Sequence, residues 1–164
     1  MSEPVSPARR PLPNVVPAHH AMAWGVRASF RAYVEEAGEI RIEAPASAAG
    51  REFRFRRAAC DGDVVRYEGA VLFTAHGGLL RLEVRDPSIH REGERLVLSV
   101  ADTTAPGRRL ILADLEPATD GSGLHATLAP EGAVAFDFRY PAGSPLEPVH
   151  LEPPSDHHET TRRT

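Results

Sequence analysis

The chain has 164 residues, enough for one domain with a buried core, and 41% of them are hydrophobic. Its net charge of −4 excludes the strongly basic footprint of a nucleic-acid-binding protein. The single cysteine, Cys60, excludes an intramolecular disulfide and a multi-cysteine zinc site. No apolar run approaches the ~20 residues of a membrane-spanning helix, so we predict no transmembrane segment.

The two ends of the chain have compositions that disfavour folding. Residues 1–20 are rich in proline and lack a hydrophobic pattern, so we expect a disordered arm there. Residues 152–164 have no apolar surface to bury and should form a disordered tail. One folded domain then occupies residues 21–151. Because the N-terminus lacks the continuous apolar core of a secretion signal, the sequence as it stands predicts a cytoplasmic protein.

The first predicted element is an amphipathic helix. We expect it to begin near Ala21 or Trp24 and to end at Glu36, because Gly38 is a natural C-terminal stop. Apolar side chains recur at helical spacing along one stripe, which should face the core: Val26, Phe30 and Val34.

Two hydroxyl-bearing side chains lie on a neighbouring face of the same predicted helix. Ser29 and Tyr33 are four residues apart, and residues at that spacing are neighbours on a helix surface. The helix is therefore predicted to bury its apolar stripe while it presents a hydroxyl and a phenol side by side.

After the helix the hydrophobic pattern changes from a period of 3.6 to a period of 2, which indicates strands. Pro45–Gly50 should be a loop, and Gly77-Gly78 suits a tight hairpin. The segment from Val64 to Thr74 is apolar on both faces towards its end, so we expect it to be a central strand. The predicted strands are Glu39–Glu43, Arg51–Arg56, Val64–Thr74, Leu79–Val84, Leu96–Val100, Arg109–Leu115, Leu124–Leu128 and Ala133–Tyr140.

Many short strands separated by turn residues predict the fold class. We expect a mainly β protein, an antiparallel sandwich or barrel-like domain with one N-terminal amphipathic helix packed against it. The usual enzyme motifs are missing: the sequence has no Gly-x-Gly-x-x-Gly, Gly-x-Ser-x-Gly, His-Glu-x-x-His or phosphate loop. The sequence therefore gives no reason to predict that the protein is an enzyme.

Tyr33, His76 and Ser29 remain as candidate site residues. A tyrosine phenol ordinarily titrates near ~10, but Fe(III) is a hard Lewis acid and its coordination can drive the proton off. A histidine beside the phenol can accept that proton or hydrogen-bond the ligand. Tyrosinate is an established axial ligand of haem iron. From the residues alone, structural roles are the more common ones for a tyrosine on a helix, such as Tyr33, and for a histidine at a strand end, such as His76.

The sequence resembles the HtaA family, haem-binding domains of actinobacterial iron uptake, in three ordered motifs. The first is Trp24-Gly25-Val26 followed by Ser29-Phe30-Arg31 and Tyr33. The second runs from Gly69 to Leu79 and contains His76, and Asp86-Pro87-Ser88-Ile89 follows it. The third is Tyr140-Pro-Ala-Gly-Ser-Pro-Leu-Glu-Pro148. Together they cover residues 22–150.

The resemblance implies a function and a set of roles. Tyr33 would be the axial ligand of ferric haem b, and His76 would hydrogen-bond to Tyr33. Ser29 would line the pocket and approach a haem propionate or the ligand. The implied function is non-catalytic haem binding for haem acquisition, buffering or transfer, with a haem donor or acceptor protein or a transporter as partner. Family members are usually secreted or bound to the cell surface.

Two other functions stay open at this point. The first is a β-sandwich interaction module that retains the fold and has lost the haem. It would bury the Tyr33 oxygen against Phe73 or another side chain and have no cleft near His76. The second is a haem-using enzyme, which would need a distal acid or base and an electron source.

Overall fold

The computed structural model describes residue 16 and residues 20–61, 63–119, 123–136 and 139–152. Apart from residues 16, 20 and 152, the predicted arm and tail lie outside these ranges. The described part confirms the predicted mainly β, antiparallel fold with one α-helix near the N-terminus. The helix, α1, is Ala28–Ala37.

Twelve strands are present among the described residues. They are Ala21–Trp24 (β1), Gly38–Glu43 (β2), Ser47–Ala49 (β3), Glu52–Asp61 (β4), Val64–Glu68 (β5), Ala70–Ala75 (β6), Leu80–Arg85 (β7), Ser88–Glu92 (β8), Arg95–Ala101 (β9), Arg109–Pro117 (β10), Leu124–Leu128 (β11) and Pro145–Glu152 (β12). Two 3-10 segments, His76–Gly78 and Pro130–Phe136, complete the described secondary structure.

Eight of the strands close into an antiparallel ring in the order β1-β12-β11-β10-β9-β8-β5-β4, because β4 pairs back with β1. Closure occurs where Trp24 pairs with Phe53 and Met22 pairs with Phe55. A closed ring leaves few unpaired edges at which a further strand could add. β3 pairs with β4 outside the ring, and β2, β6 and β7 form a second, three-stranded sheet.

Helix α1 packs its apolar face against the three-stranded sheet. Phe30 and Val34 are fully buried, and the ring of Phe30 lies 5.3 Å from Phe73 of β6 and 5.0 Å from Phe136. Ring separations in this range are typical of favourable aromatic pairs. The predicted core-facing stripe is therefore confirmed for Phe30 and Val34, whereas Val26 is buried but lies before the helix begins.

The predicted start of the helix is wrong, because Ala21–Trp24 is a strand. All four residues are buried, since β1 lies between β12 and β4 and has no solvent-facing side. A four-residue apolar run carries no period that distinguishes a buried strand from the first turn of a helix. Trp24 also donates its indole N–H to the Glu147 carbonyl of β12 at 2.7 Å, which holds the strand in place.

The predicted strand over Ala133–Tyr140 is also wrong. Residues Pro130–Phe136 form a 3-10 segment that packs closely on β10: a Cβ on Gly132 would lie 2.5 Å from the carbonyl oxygen of Leu112. Besides β1, three strands were not predicted: β3, which lies in the segment predicted as a loop, β8 and β12. β12 contains Pro145 and Pro148, which normally argue against a paired strand; Pro148 lies where the pairing with β11 shifts register, a position that tolerates proline.

The predicted strand over Val64–Thr74 is two strands, β5 and β6, which belong to different sheets. The chain turns between them at Gly69, which has a φ of +122°. A Cβ there would lie 2.6 Å from Ala46, so both the conformation and the space require glycine. The prediction that the second half is a central strand is confirmed, because β6 lies between β2 and β7.

Gly38 brings the end of helix α1 onto the sheet. It begins β2 directly opposite Ala75, the last residue of β6, and its N–H bonds to the Val34 carbonyl. A Cβ on Gly38 would lie 1.8 Å from the Thr74 carbonyl oxygen, so only glycine permits this approach. The last turn of the helix consequently lies beside the turn that follows β6.

We predict that Gly38→Ala lowers the free energy of unfolding by about 1–3 kcal/mol, because the added methyl must displace the backbone of β6. The measurement is urea denaturation, with Glu39→Ala as a matched control, since Glu39 is the next residue of β2 and is exposed. Wild-type stability in the Gly38 variant would show that β2 and β6 are not packed this closely.

Candidate functional site

Helix α1 presents the predicted polar face to solvent. Ser29 is exposed and Tyr33 is half-buried, one turn further along the same helix. Another tyrosine, Tyr67 of β5, is only 1% exposed, and burial raises the pKa of its phenol well above the usual value. Tyr67 is therefore unsuited to bind a ligand, whereas the Tyr33 hydroxyl is accessible.

His76 lies in the turn between β6 and β7 and faces Tyr33. Its backbone has a φ of +55°, and Gly77 and Gly78 follow it with positive φ as well, so the turn directs the imidazole back towards the helix. The Tyr33 hydroxyl hydrogen-bonds to Nε2 of His76, and the two ring centroids are 5.6 Å apart. The structure thus brings together two residues that are 43 positions apart in the sequence.

Ser29 belongs to a second polar group at the other end of the helix face. Its Oγ lies 3.1 Å from the hydroxyl of Tyr140 and accepts a hydrogen bond of 3.0 Å from Nε of Arg27. In the sequence, Tyr140 was recognised only as part of the third motif and not as a site residue. Its position at the start of that motif is the feature that could have identified it.

Two arginines cover the two tyrosines. The guanidinium carbon of Arg27 lies 4.3 Å from the ring centroid of Tyr140, and that of Arg139 lies 3.8 Å from the ring centroid of Tyr33. Both separations are within the range of cation–π attraction. The sequence analysis identified neither arginine, because nothing in the sequence separates them from the other basic residues.

Buried aromatic rings support this face from below. Phe136 contacts both Phe30 of the helix, at 5.0 Å, and Tyr140, at 5.8 Å between centroids. Phe30 also lies 6.5 Å from Tyr140. The helix and the segment that carries Tyr140 therefore share one aromatic cluster, which limits their relative movement.

An ionic network anchors the 3-10 segment that leads to Arg139. Arg95 of β9 donates to Glu131 through both terminal nitrogens, at 3.0 and 3.1 Å, and through Nε to Asp114 of β10 at 2.8 Å. Hydrogen bonding to Glu131 and then to Asp114 raises the pKa of Arg95, and the Arg95 guanidinium lowers the pKa of Glu131. A bidentate pair of this kind restrains the segment geometrically.

The surface around the Tyr33–His76 pair is open and partly apolar. An open cleft of about 430 Å³ adjoins the His76 turn and is lined by Gly38, Glu39, Thr74, Ala75, Gly77 and Gly78. Leu79, which follows this turn, is 88% exposed, and Val134 in the 3-10 segment is 57% exposed. These are the exposed large hydrophobic residues of the described chain, and exposed apolar surface beside polar groups is typical of a ligand-binding site.

A larger cleft of about 510 Å³ lies on a different face of helix α1, lined in part by Ala28, Ala32, Ile40 and Ile42. Tyr33 and His76 line neither of these two clefts; the smaller one adjoins them through Ala75 and Gly77, the neighbours of His76 in the chain. Within the described residues, no group of three or more His, Cys, Asp or Glu side chains is arranged to hold a metal ion. None of the described helices has the length and apolar content of a membrane span.

Comparisons with known proteins agree with the motifs. The HtaA family model matches residues 19–152. The structure is similar to the heme-binding protein HtaB from Corynebacterium glutamicum, with a TM-score of 0.64 and 22% identity over 80% of this chain and 90% of that one. It is also similar to the N-terminal domain of HtaA from the same organism, with a TM-score of 0.64 and 23% identity over 84% and 99% of the two chains. No curated protein sequence matches the chain.

We predict that Glu131→Gln loosens the 3-10 segment without unfolding the domain. Both partners are substantially exposed, so the free energy of unfolding should fall by less than about 1 kcal/mol, whereas amide exchange at Gly132 should become faster. Because Arg95 lowers the pKa of Glu131, this contribution is present above the ordinary carboxyl pKa of 4.5 and is lost as the pH falls through the lowered value. Hydrogen exchange at neutral and acidic pH measures it.

Glu116→Gln is the control, since Glu116 is an exposed carboxylate on β10. Equal exchange at Gly132 in wild type and the Glu131 variant at neutral pH would contradict an anchoring role for the Arg95–Glu131 pair.

Proposed function

The chain belongs to the HtaA family, and we propose that it binds ferric haem b through the phenolate oxygen of Tyr33 without catalysing a reaction. The observation that carries the proposal is the hydrogen bond between Tyr33 and His76 on an accessible surface. The similarity of the fold to that of the heme-binding protein HtaB supports the same proposal.

The donor set fits haem iron in its ferric state. Phenolate is a hard anionic ligand and Fe(III) is a hard Lewis acid, so a tyrosinate favours the ferric over the ferrous form. Haem also needs an apolar surface for its macrocycle and cations or hydroxyls for its propionates. Leu79 supplies exposed apolar surface next to His76, and the hydroxyls of Ser29 and Tyr140 supply polar contacts.

Each residue of the site has a chemical role in this proposal. Tyr33 supplies the oxygen that binds the iron. Nε2 of His76 accepts the phenol proton when the O–H bond breaks, and the electron pair stays on the oxygen. Ser29 lies one turn from Tyr33 and, with the Tyr140 hydroxyl, provides hydrogen bonds for a propionate.

The exposure of the pair argues against the haem-free interaction module. That alternative requires the Tyr33 oxygen to be buried against Phe73 or another side chain. Phe73 is fully buried against Phe30 and Phe53, whereas Tyr33 is half-buried and its hydroxyl is directed at exposed His76.

We further propose that the protein acquires, buffers or transfers haem, with a protein donor or acceptor that exchanges haem at this open face.

We predict that Tyr33→Phe abolishes the tyrosinate-type high-spin spectrum of the ferric haem complex, because it removes the ligating oxygen and keeps the ring. The measurement is an absorbance titration with ferric haem at neutral pH. Tyr140→Phe is the matched control: it removes the other accessible phenol oxygen of this face and should retain the charge-transfer band. The ligand assignment fails if Tyr33→Phe keeps the wild-type spectrum and affinity.

His76→Ala should weaken haem binding less than Tyr33→Phe does, because His76 acts on the ligand and not on the iron. We expect a loss of affinity of about 10–100-fold, the usual cost of removing a residue that orients a metal ligand. His125→Ala, a substitution of an exposed histidine on β11, is the control. A spectrum in which His76→Ala alone loses the iron ligand would reverse the two roles.

A further inference from the structure

The guanidinium of Arg139 stacks on the ring of Tyr33, with 3.8 Å between its central carbon and the ring centroid. The contact joins the middle of helix α1 to Arg139, the residue before Tyr140, and the aromatic cluster holds Tyr140 in position. Two side chains therefore contact Tyr33: His76 at the hydroxyl, and Arg139 over the face of the ring.

We propose that Arg139 is a positioning residue: its guanidinium, stacked on the ring of Tyr33, holds the bound tyrosinate in place and strengthens its binding to ferric iron. This inference rests on the proposed function. The proposed function assigns roles to Tyr33, His76 and Ser29 but none to Arg139.

The charge on the ring determines how strongly the cation is attracted. A cation over a neutral aromatic ring is attracted by the ring quadrupole. A tyrosinate bound to iron carries negative charge, so the same cation, stacked at 3.8 Å, is attracted by that charge as well as by the quadrupole. The stacked guanidinium therefore favours the tyrosinate–iron complex.

The local environment leaves this charge available to the ring. No described carboxylate forms an ion pair with Arg139, whereas Arg95 in the same region is fully engaged with Glu131 and Asp114. Arg139 is exposed, so water and salt weaken its effect but do not remove it at the distance observed. We expect the contribution to be modest and to decrease with ionic strength.

The chain supplies its own control for a general effect of charge. Arg27 stacks on Tyr140 at 4.3 Å, in the same type of contact on the same face, but that tyrosine is not the proposed iron ligand. Loss of either arginine changes the net charge equally. Only the loss of Arg139 should change the electronic properties of the bound tyrosinate.

The experiment compares Arg139→Gln, Arg139→Lys and Arg27→Gln in the full chain, loaded with ferric haem. Arg139→Gln should weaken binding by about 2–5-fold at low salt, the range expected of an exposed cation–π contact. It should also shift the tyrosinate-to-iron charge-transfer band to lower energy, because a phenolate without the nearby cation holds its electrons less tightly. Arg139→Lys should restore much of both properties, and Arg27→Gln should leave the band unchanged.

Three results would overturn the inference. The first is an unchanged band and affinity in Arg139→Gln, and the second is an equal change in Arg139→Gln and Arg139→Lys, which would indicate packing and not charge. The third is a loss of affinity that is confined to free haem and missing with its dimethyl ester, which would assign Arg139 to a propionate.

The same series separates this inference from the proposed function. If wild type gives no tyrosinate band, or if Tyr33→Phe retains one, the ligand assignment itself fails. If the band depends on Tyr33 but not on Arg139, only the role of Arg139 fails. Circular dichroism of each unloaded variant identifies any loss of fold.

Discussion

The pairing of β2 with β6 is the constraint on which the candidate site depends. Helix α1 ends at Ala37, and Gly38 immediately enters the sheet opposite Ala75. The two backbones are so close that a Cβ on Gly38 would overlap the backbone of β6. A side chain at this position would hold the two backbones apart. Because the glycine allows this approach, Tyr33 of the helix lies beside His76 in the turn that follows β6.

The closed ring and the small sheet contribute differently to this face. The ring of eight strands contains most of the large buried side chains and leaves few edges, so it serves as a stable scaffold. The three-stranded sheet, helix α1 and the segment before β12 carry the candidate residues on that scaffold. Their mutual positions depend on the Phe30–Phe136–Tyr140 cluster and on the Arg95 network. Rigid support of this kind favours ligands that must be bound in one geometry.

The face itself is an accessible surface with paired aromatic and cationic groups. Each accessible tyrosine has an arginine over its ring and a hydrogen-bonding partner at its hydroxyl: His76 for Tyr33 and Ser29 for Tyr140. Such an arrangement suits a flat, amphiphilic, anionic ligand whose apolar body covers Leu79 and whose acidic groups meet the polar side chains. It also suits release, because an open face lets a partner protein reach the ligand.

The sequence by itself determined what local patterns encode. Helical spacing put Ser29 and Tyr33 on one face, and alternation identified β2 and the first half of β4. Strand-like segments between turn residues identified β7 and β9 to β11, and the ordered motifs indicated the family. Local patterns did not identify β1 as a strand, because its four apolar residues have no readable period, or the 3-10 segment after Pro130. The resemblance implied that His76 hydrogen-bonds to Tyr33, but the local patterns did not, and only the tertiary structure decided that Ser29 meets Tyr140 and that Arg139 covers Tyr33. These contacts join residues far apart in the chain, and they depend on strand register and helix packing, which the spacing of residues within one element does not specify.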